Sequence, residues 1–192
     1  MLEHAAMVLT PDVTVIPDFV PDHQALFDLL LAEVSWDERL RARKTASFGI
    51  SYDYSGMTYP QVEMPAFLDA VCMQIEREPA LGFRPNNCLL NYYPDGKSSM
   101  GFHSDSTEEL AEGTGVTVVS LGSEREMVFR HKEDRSHKVP CRLAPGSLLY
   151  MSNELQASWL HGIPKAAHAG PRISLTFRLV ENKGGPGGPP RR

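Results

Sequence analysis

Long apolar runs are missing from this chain. No stretch reaches the about 18 consecutive apolar residues of a membrane-crossing helix, so no span is expected. The first residues also lack a basic region followed by a long apolar stretch, so a secretory leader is not expected. Cysteine is scarce. Cys72, Cys88 and Cys141 stand far apart, with no Cys-x-x-Cys pair and no Cys/His spacing of the zinc type. A disulfide framework and a zinc finger are thereby excluded, and free, buried thiols in a reducing cytoplasm are expected. Positive charge is not in excess either: 19 Lys and Arg stand against 24 Asp and Glu, a net charge of -5. Proteins that grip long nucleic acid usually carry a basic footprint. Here Arg39, Arg41, Arg43 and Lys44 form one local cluster, for which a solvated charged loop is the competing reading.

What is present reads as a globule. An apolar content of 42% in 192 residues is ordinary for one core, expected over residues 1–182. Residues 183–192, rich in Gly and Pro, cannot build a core and read as a disordered tail. Two amphipathic helices are predicted. The first covers 22–34, with Leu26, Phe27, Leu29, Leu30 and Val34 on one stripe and Asp22 at its N-cap. The second covers 65–77, starting at Pro65. After residue 85 the texture changes to short β-rich runs at 116–121, 126–131, 147–151 and 172–180, separated by Gly, Pro and charged loops. Helices followed by a block of antiparallel strands predict an α+β fold with a double-sheet jelly roll.

One constellation carries chemistry. Residues 101–105 read Gly-Phe-His-Ser-Asp, which sets His103 and Asp105 two residues apart, on one side of an extended chain. His161, in Trp159-Leu160-His161-Gly162, can close a face of three ligands. Two His and one carboxylate with open positions match the ligand set of non-haem Fe(II) oxygenases. His-x-Asp alone is weak, because a polar surface turn produces the same letters. The stretch 172–178 strengthens it. Arg172, Ser174, Thr176 and Arg178 alternate with Ile173, Leu175 and Phe177, so two arginines share a strand face about 20 Å apart at full extension. The planar guanidinium fork suits a carboxylate. Upstream, Asn91 and Tyr93 share a strand face that runs into the turn Pro94-Asp95-Gly96.

Taken in order, these pieces resemble the AlkB-like family of Fe(II)/2-oxoglutarate-dependent dioxygenases. The matching stretches are Asn91-x-Tyr93, His103-x-Asp105, Pro145-Gly146-Ser147-Leu148-Leu149, His161 and Arg172-x5-Arg178. Residues 119–122 and 128–132 are similar as well, and Arg43–Gly49 with Tyr52–Gly56 resemble the family's substrate lid. The resemblance spans roughly residues 40–180. It implies a double-stranded β-helix (jelly roll) with buttressing N-terminal helices. It implies Fe(II) on His103, Asp105 and His161, with 2-oxoglutarate and O2 as cosubstrates. Asn91, Tyr93, Arg172, Ser174 and Arg178 would hold 2-oxoglutarate, Arg172 at the distal carboxylate and Arg178 near the metal end. Tyr52, Tyr54 and Glu108 would face the substrate.

The implied reaction is oxidative demethylation of N-alkylated nucleobases, as in nucleic acid repair, with a single strand of DNA or RNA favoured over duplex. The region before Arg43 shows no clear hairpin, and Lys165–Gly170 holds one Lys, which argues against a duplex reader. The competing reading is a hydroxylase or demethylase of a small molecule on the same scaffold. A non-catalytic jelly-roll binding protein stands third. A cytoplasmic monomer is expected in each case.

Overall fold

The computed structural model describes residues 7–10, 12–54 and 57–181, and the stretch 183–192 lies outside them. In chain order the strands are β1 (Met7–Thr10), β2 (Val13–Ile16), β3 (Lys44–Gly49), β4 (Asp53–Tyr54), β5 (Met57–Thr58), β6 (Asn87–Tyr93), β7 (Met100–His103), β8 (Gly115–Gly122), β9 (Arg125–His131), β10 (Lys138–Leu143), β11 (Leu148–Ser152), β12 (Trp159–Ile163) and β13 (Arg172–Arg178). The helices are α1 (His23–Glu33), α2 (Ala66–Arg77) and the short α3 (Asn153–Ser158) between β11 and β12. A seven-stranded sheet runs β1-β2-β11-β8-β13-β6-β3 and a four-stranded sheet runs β10-β9-β12-β7. The pairings in both sheets are antiparallel. This is the expected jelly roll.

The alternation in β13 decides which layer meets which. Ile173, Leu175 and Phe177 join Leu90 of β6 and Val119 and Leu121 of β8 in one core. Phe27 and Leu30 of α1 and Leu68, Val71, Cys72 and Ile75 of α2 complete it, so both helices buttress the large sheet. A second core fills the space between the sheets, with Val116 and Val118 of β8, Met127 and Phe129 of β9, and Ile163 of β12. Each fully buried Leu, Ile or Phe in these cores contributes about 1.5–3 kcal/mol of transfer free energy. Every residue of β13 is buried, the polar ones included. Arg172, Ser174, Thr176 and Arg178 therefore face the inter-sheet space and not solvent, which is what positions the site.

Both predicted helices form, within a residue or so of their expected ends. Asp22 occupies the N-cap of α1 but makes no side-chain capping bond. The strand β12 around His161, and β7 around His103, are short and form the rim of the small sheet with β7 at its edge.

Candidate active site

The small sheet delivers the three ligands. His161 pairs directly opposite His103 across the β12–β7 ladder, so both imidazoles leave the same face. Their ring centroids lie 4.4 Å apart. Asp105 follows β7 by two residues and its carboxylate Oδ2 lies 3.7 Å from His161 Nε2. One ligand atom from each of His103, Asp105 and His161 can be chosen such that all lie within 4.8 Å of one another. His103 Nδ1 sits 3.0 Å from the Gly101 carbonyl, a bond that as donor fixes the ring and assigns Nε2 as the metal-facing nitrogen.

Residues of α3 and β13 hold Asp105 in place. Its backbone N–H donates to Gln156 Oε1 at 3.0 Å, and the neighbouring Ser104 hydroxyl donates to the Trp159 carbonyl at 3.0 Å. Gln156 sits in α3, whose Ser152 N-cap accepts from Leu155 N. Arg178 Nη2 donates to Asp105 Oδ1 at 3.0 Å. Burial opposes ionisation of Asp105, but the charges of Arg178, His161 and His103 outweigh it and hold the carboxyl below its ordinary range. Burial pushes the His161 imidazole down to about 4, so it is neutral at pH 7 and keeps a lone pair.

The large sheet supplies an anion pocket opposite the ligands. Register places Arg172 beside Tyr93 and Ser174 beside Asn91. These four side chains, His103, Asp105, His161 and Arg178 line one cavity with roughly 370 Å³ of unfilled space, its mouth included. Arg172 is completely buried and its Nη2 donates to Ser120 Oγ at 2.9 Å. Its Nε and Nη1 have no hydrogen-bond partner among the described residues. Burial draws its guanidinium down to about 10, which leaves it protonated at pH 7. A buried cation with two unused donors is costly unless an anion meets it. Asn91 Oδ1 accepts from Arg43 Nε at 2.7 Å, which leaves the amide nitrogen as the donor for a ligand.

Donor chemistry and orphaned atoms therefore fit the expected groups. Two imidazoles and a carboxylate suit Fe(II), and Arg172 with Asn91 and Tyr93 suits a dicarboxylate. The other expected residues are placed differently. Tyr52 is buried, with its ring 4.4 Å from the Arg178 guanidinium and its hydroxyl donating to the Ser106 carbonyl at 3.2 Å. Glu108 is exposed in the loop after Asp105. The Tyr54 side chain lies outside the described residues. Trp159 packs edge-on against His131 and His137, at 5.1 and 4.9 Å between centroids. The sequence marks no role for Gln156, Ser120 or Arg125, and it offers Arg43 as a member of a charged cluster and of the stretch that resembles the substrate lid, not as a partner of Asn91. Each acts through a contact far away in the chain, so no local pattern marks it.

Known proteins resemble this chain at several levels. The family profile described as "2OG-Fe(II) oxygenase superfamily" matches residues 13–178. The human protein named "DNA oxidative demethylase ALKBH2" is 35% identical over 150 residues, covering 72% of this chain and 56% of that protein. The bovine "Alpha-ketoglutarate-dependent dioxygenase alkB homolog 3" is 33% identical over 190 residues, covering 88% of this chain and 66% of that protein. The chain thus spans about half the length of ALKBH2. A solved structure titled "The structure of OsALKBH1" superposes with a TM-score of 0.65 at 18% identity, covering 91% of this chain and all of that one, a likeness of fold.

Proposed function

Since the chain belongs to the 2OG-Fe(II) oxygenase superfamily, we propose that it is an Fe(II)- and 2-oxoglutarate-dependent dioxygenase that oxidatively demethylates N-alkylated nucleobases. The carrying observation is the inter-sheet cavity, where the His103, Asp105 and His161 cluster faces a buried Arg172 with two unused donors. The names of ALKBH2 and alkB homolog 3 support the substrate class.

His103, Asp105 and His161 would hold the iron, and Arg172, Asn91 and Tyr93 the 2-oxoglutarate. Bound together with O2, these groups supply the oxidising power for a C–H bond of the substrate. The protein's own tasks are positional. The carboxylate–imidazole contact and the Gln156 bond fix the ligands before metal arrives. Ser120 orients Arg172, so the distal carboxylate meets a fork already aimed. The apolar lining from Leu89, Val118, Met127 and Ile163 limits water around the reacting centre. Arg178, which bonds Asp105, is assigned to the metal end.

The substrate reading is a single strand of DNA or RNA in preference to duplex, with Tyr52, Tyr54 and Glu108 near the base. Three free cysteines fit a reducing, cytoplasmic setting, and one domain acting as a monomer is part of the same reading. No helix among the described residues is long and apolar enough to cross a membrane. The net charge of -5 keeps a small-molecule substrate as the second reading.

A panel of methylated single strands, duplexes and free nucleosides, incubated with Fe(II), 2-oxoglutarate and ascorbate, separates the two. Formaldehyde release and base mass are read at low and moderate salt. Demethylation of single strands that falls steeply with salt is expected, because screened phosphate contacts weaken binding. No turnover of any oligonucleotide, alongside robust decarboxylation of 2-oxoglutarate, would transfer the assignment to a small-molecule hydroxylase.

A further inference from the structure

Arg125 is among the largest side chains that the fold buries completely, at 2% exposure, yet it is not a wall of the active-site cavity. It opens β9. Its guanidinium donates to three backbone carbonyls: Asp95 at 3.4 Å, Ser98 at 2.9 Å and Pro164 at 2.6 Å. Asp95 and Ser98 belong to the turn between β6 and β7, and Pro164 follows β12. One side chain thus ties together the exit of the strand that carries Tyr93, the entry of the strand that carries His103 and the exit of the strand that carries His161. Gly96 draws the same two loops into contact, since a Cβ there would stand 1.8 Å from the Ala166 carbonyl oxygen.

The second observation concerns Tyr93. Arg125 lies 5.6 Å from the centroid of its ring and Arg172 lies 5.2 Å from it. A buried phenol therefore contacts two buried guanidiniums. Neither Arg125 nor Arg172 forms an ion pair with a carboxylate among the described residues. Two buried cations with no carboxylate partner among the described residues repel each other. Such a pair is stabilised by a ligand that carries the negative charge it lacks. Cation–π contact with Tyr93 offsets part of the repulsion and fixes the ring plane.

We propose that Arg125 is a positioning residue of the cosubstrate pocket: it clamps the 94–99 and 164 loops, holds the Tyr93 ring against Arg172, and adds a second positive charge that favours a dianionic ligand. The proposal rests on the dioxygenase reading, because the ligand in question is 2-oxoglutarate.

Isothermal titration tests it without turnover. Wild type, Arg125→Gln and Arg125→Lys are each loaded with Mn(II) and titrated with 2-oxoglutarate, and Mn(II) affinity is measured separately. Arg125→Gln is expected to weaken 2-oxoglutarate binding about tenfold while Mn(II) affinity stays within about twofold of wild type. Arg125→Lys is expected to fall between the two, since it keeps the charge but cannot reach three carbonyls at once. A general structural defect would instead lower metal and cosubstrate affinity together, and that outcome overturns the proposal. So does wild-type 2-oxoglutarate affinity in either variant. If Arg125→Gln does not fold, Arg125→Lys alone decides by the same two affinities. Failure of the wild type to bind 2-oxoglutarate would remove the dioxygenase reading and this inference together. Binding by wild type with unchanged variants removes the inference alone.

Discussion

Asp105 answers to several neighbours at once: Arg178 at one oxygen, His161 near the other, and Gln156 at the backbone. Asp105→Ala deletes the only anionic member of the ligand cluster and leaves two imidazoles, an undercharged site. Iron content of the purified variant should fall below about a tenth of wild type, with turnover lost; equal iron and equal activity would strike Asp105 from the ligand set. Arg172 has a different function in the same cavity. Arg172→Ala removes the cation proposed to meet the distal carboxylate, a change costing on the order of 2–5 kcal/mol in comparable buried pairs. The KM for 2-oxoglutarate should rise by well over tenfold, and Arg172→Lys should recover only part, because the fork is lost. An unchanged KM in the Ala variant would mean that the cosubstrate sits elsewhere.

At the scale of elements, β13 does two jobs through its two faces. One face carries Arg172, Ser174, Thr176 and Arg178 to the cavity, and the other carries Ile173, Leu175 and Phe177 to the helices. Leu175 is fully buried in the core between the large sheet and the helices, opposite Leu90 and Val119 in register. Leu175→Ala should cost about 2–5 kcal/mol in chemical denaturation, from lost transfer energy and the cavity left behind. Metal affinity of the folded fraction should stay near wild type, since the change lies on the far face. A matching loss of metal affinity would show that the two faces are not separable. The sequence showed this alternation, because a period of two is local. It did not show β7 and β12 as strands. Each is four or five residues long, and β12 mixes a Trp, a His and a Gly, so pairing across the sheet and not local preference makes it extended.

The whole molecule joins stability to pH through its buried site. His161 is neutral when folded, with its pKa pushed down to about 4, while the unfolded residue titrates near the ordinary 6.5. The sign follows from proton counts: between those two values the unfolded chain binds a proton that the folded one does not. Stability of the metal-free protein should therefore fall as pH drops from about 6.5 to about 4, by on the order of 3 kcal/mol. Asp105, held below its ordinary range, keeps its contribution through this window and loses it only at lower pH. Urea midpoints measured across the range should show the slope, and His161→Gln should flatten it. A variant as pH-sensitive as wild type would assign the effect to another group.

The sequence by itself determined the parts whose signal is local. His103-x-Asp105, the alternating 172–178 strand, the two amphipathic helices and the turn after Tyr93 are each written within a dozen residues, and spacing within a strand or helix fixes which side chains share a face. Only the tertiary structure decided what those faces meet. It set His161 opposite His103 across 58 residues of chain, turned a polar strand face inward as a pocket, and brought Gln156, Ser120, Arg43 and Arg125 to support groups that lie far from them in sequence. The physical reason is that sheet register and sheet-on-sheet packing are set by the sum of many long-range contacts, and no single segment encodes them.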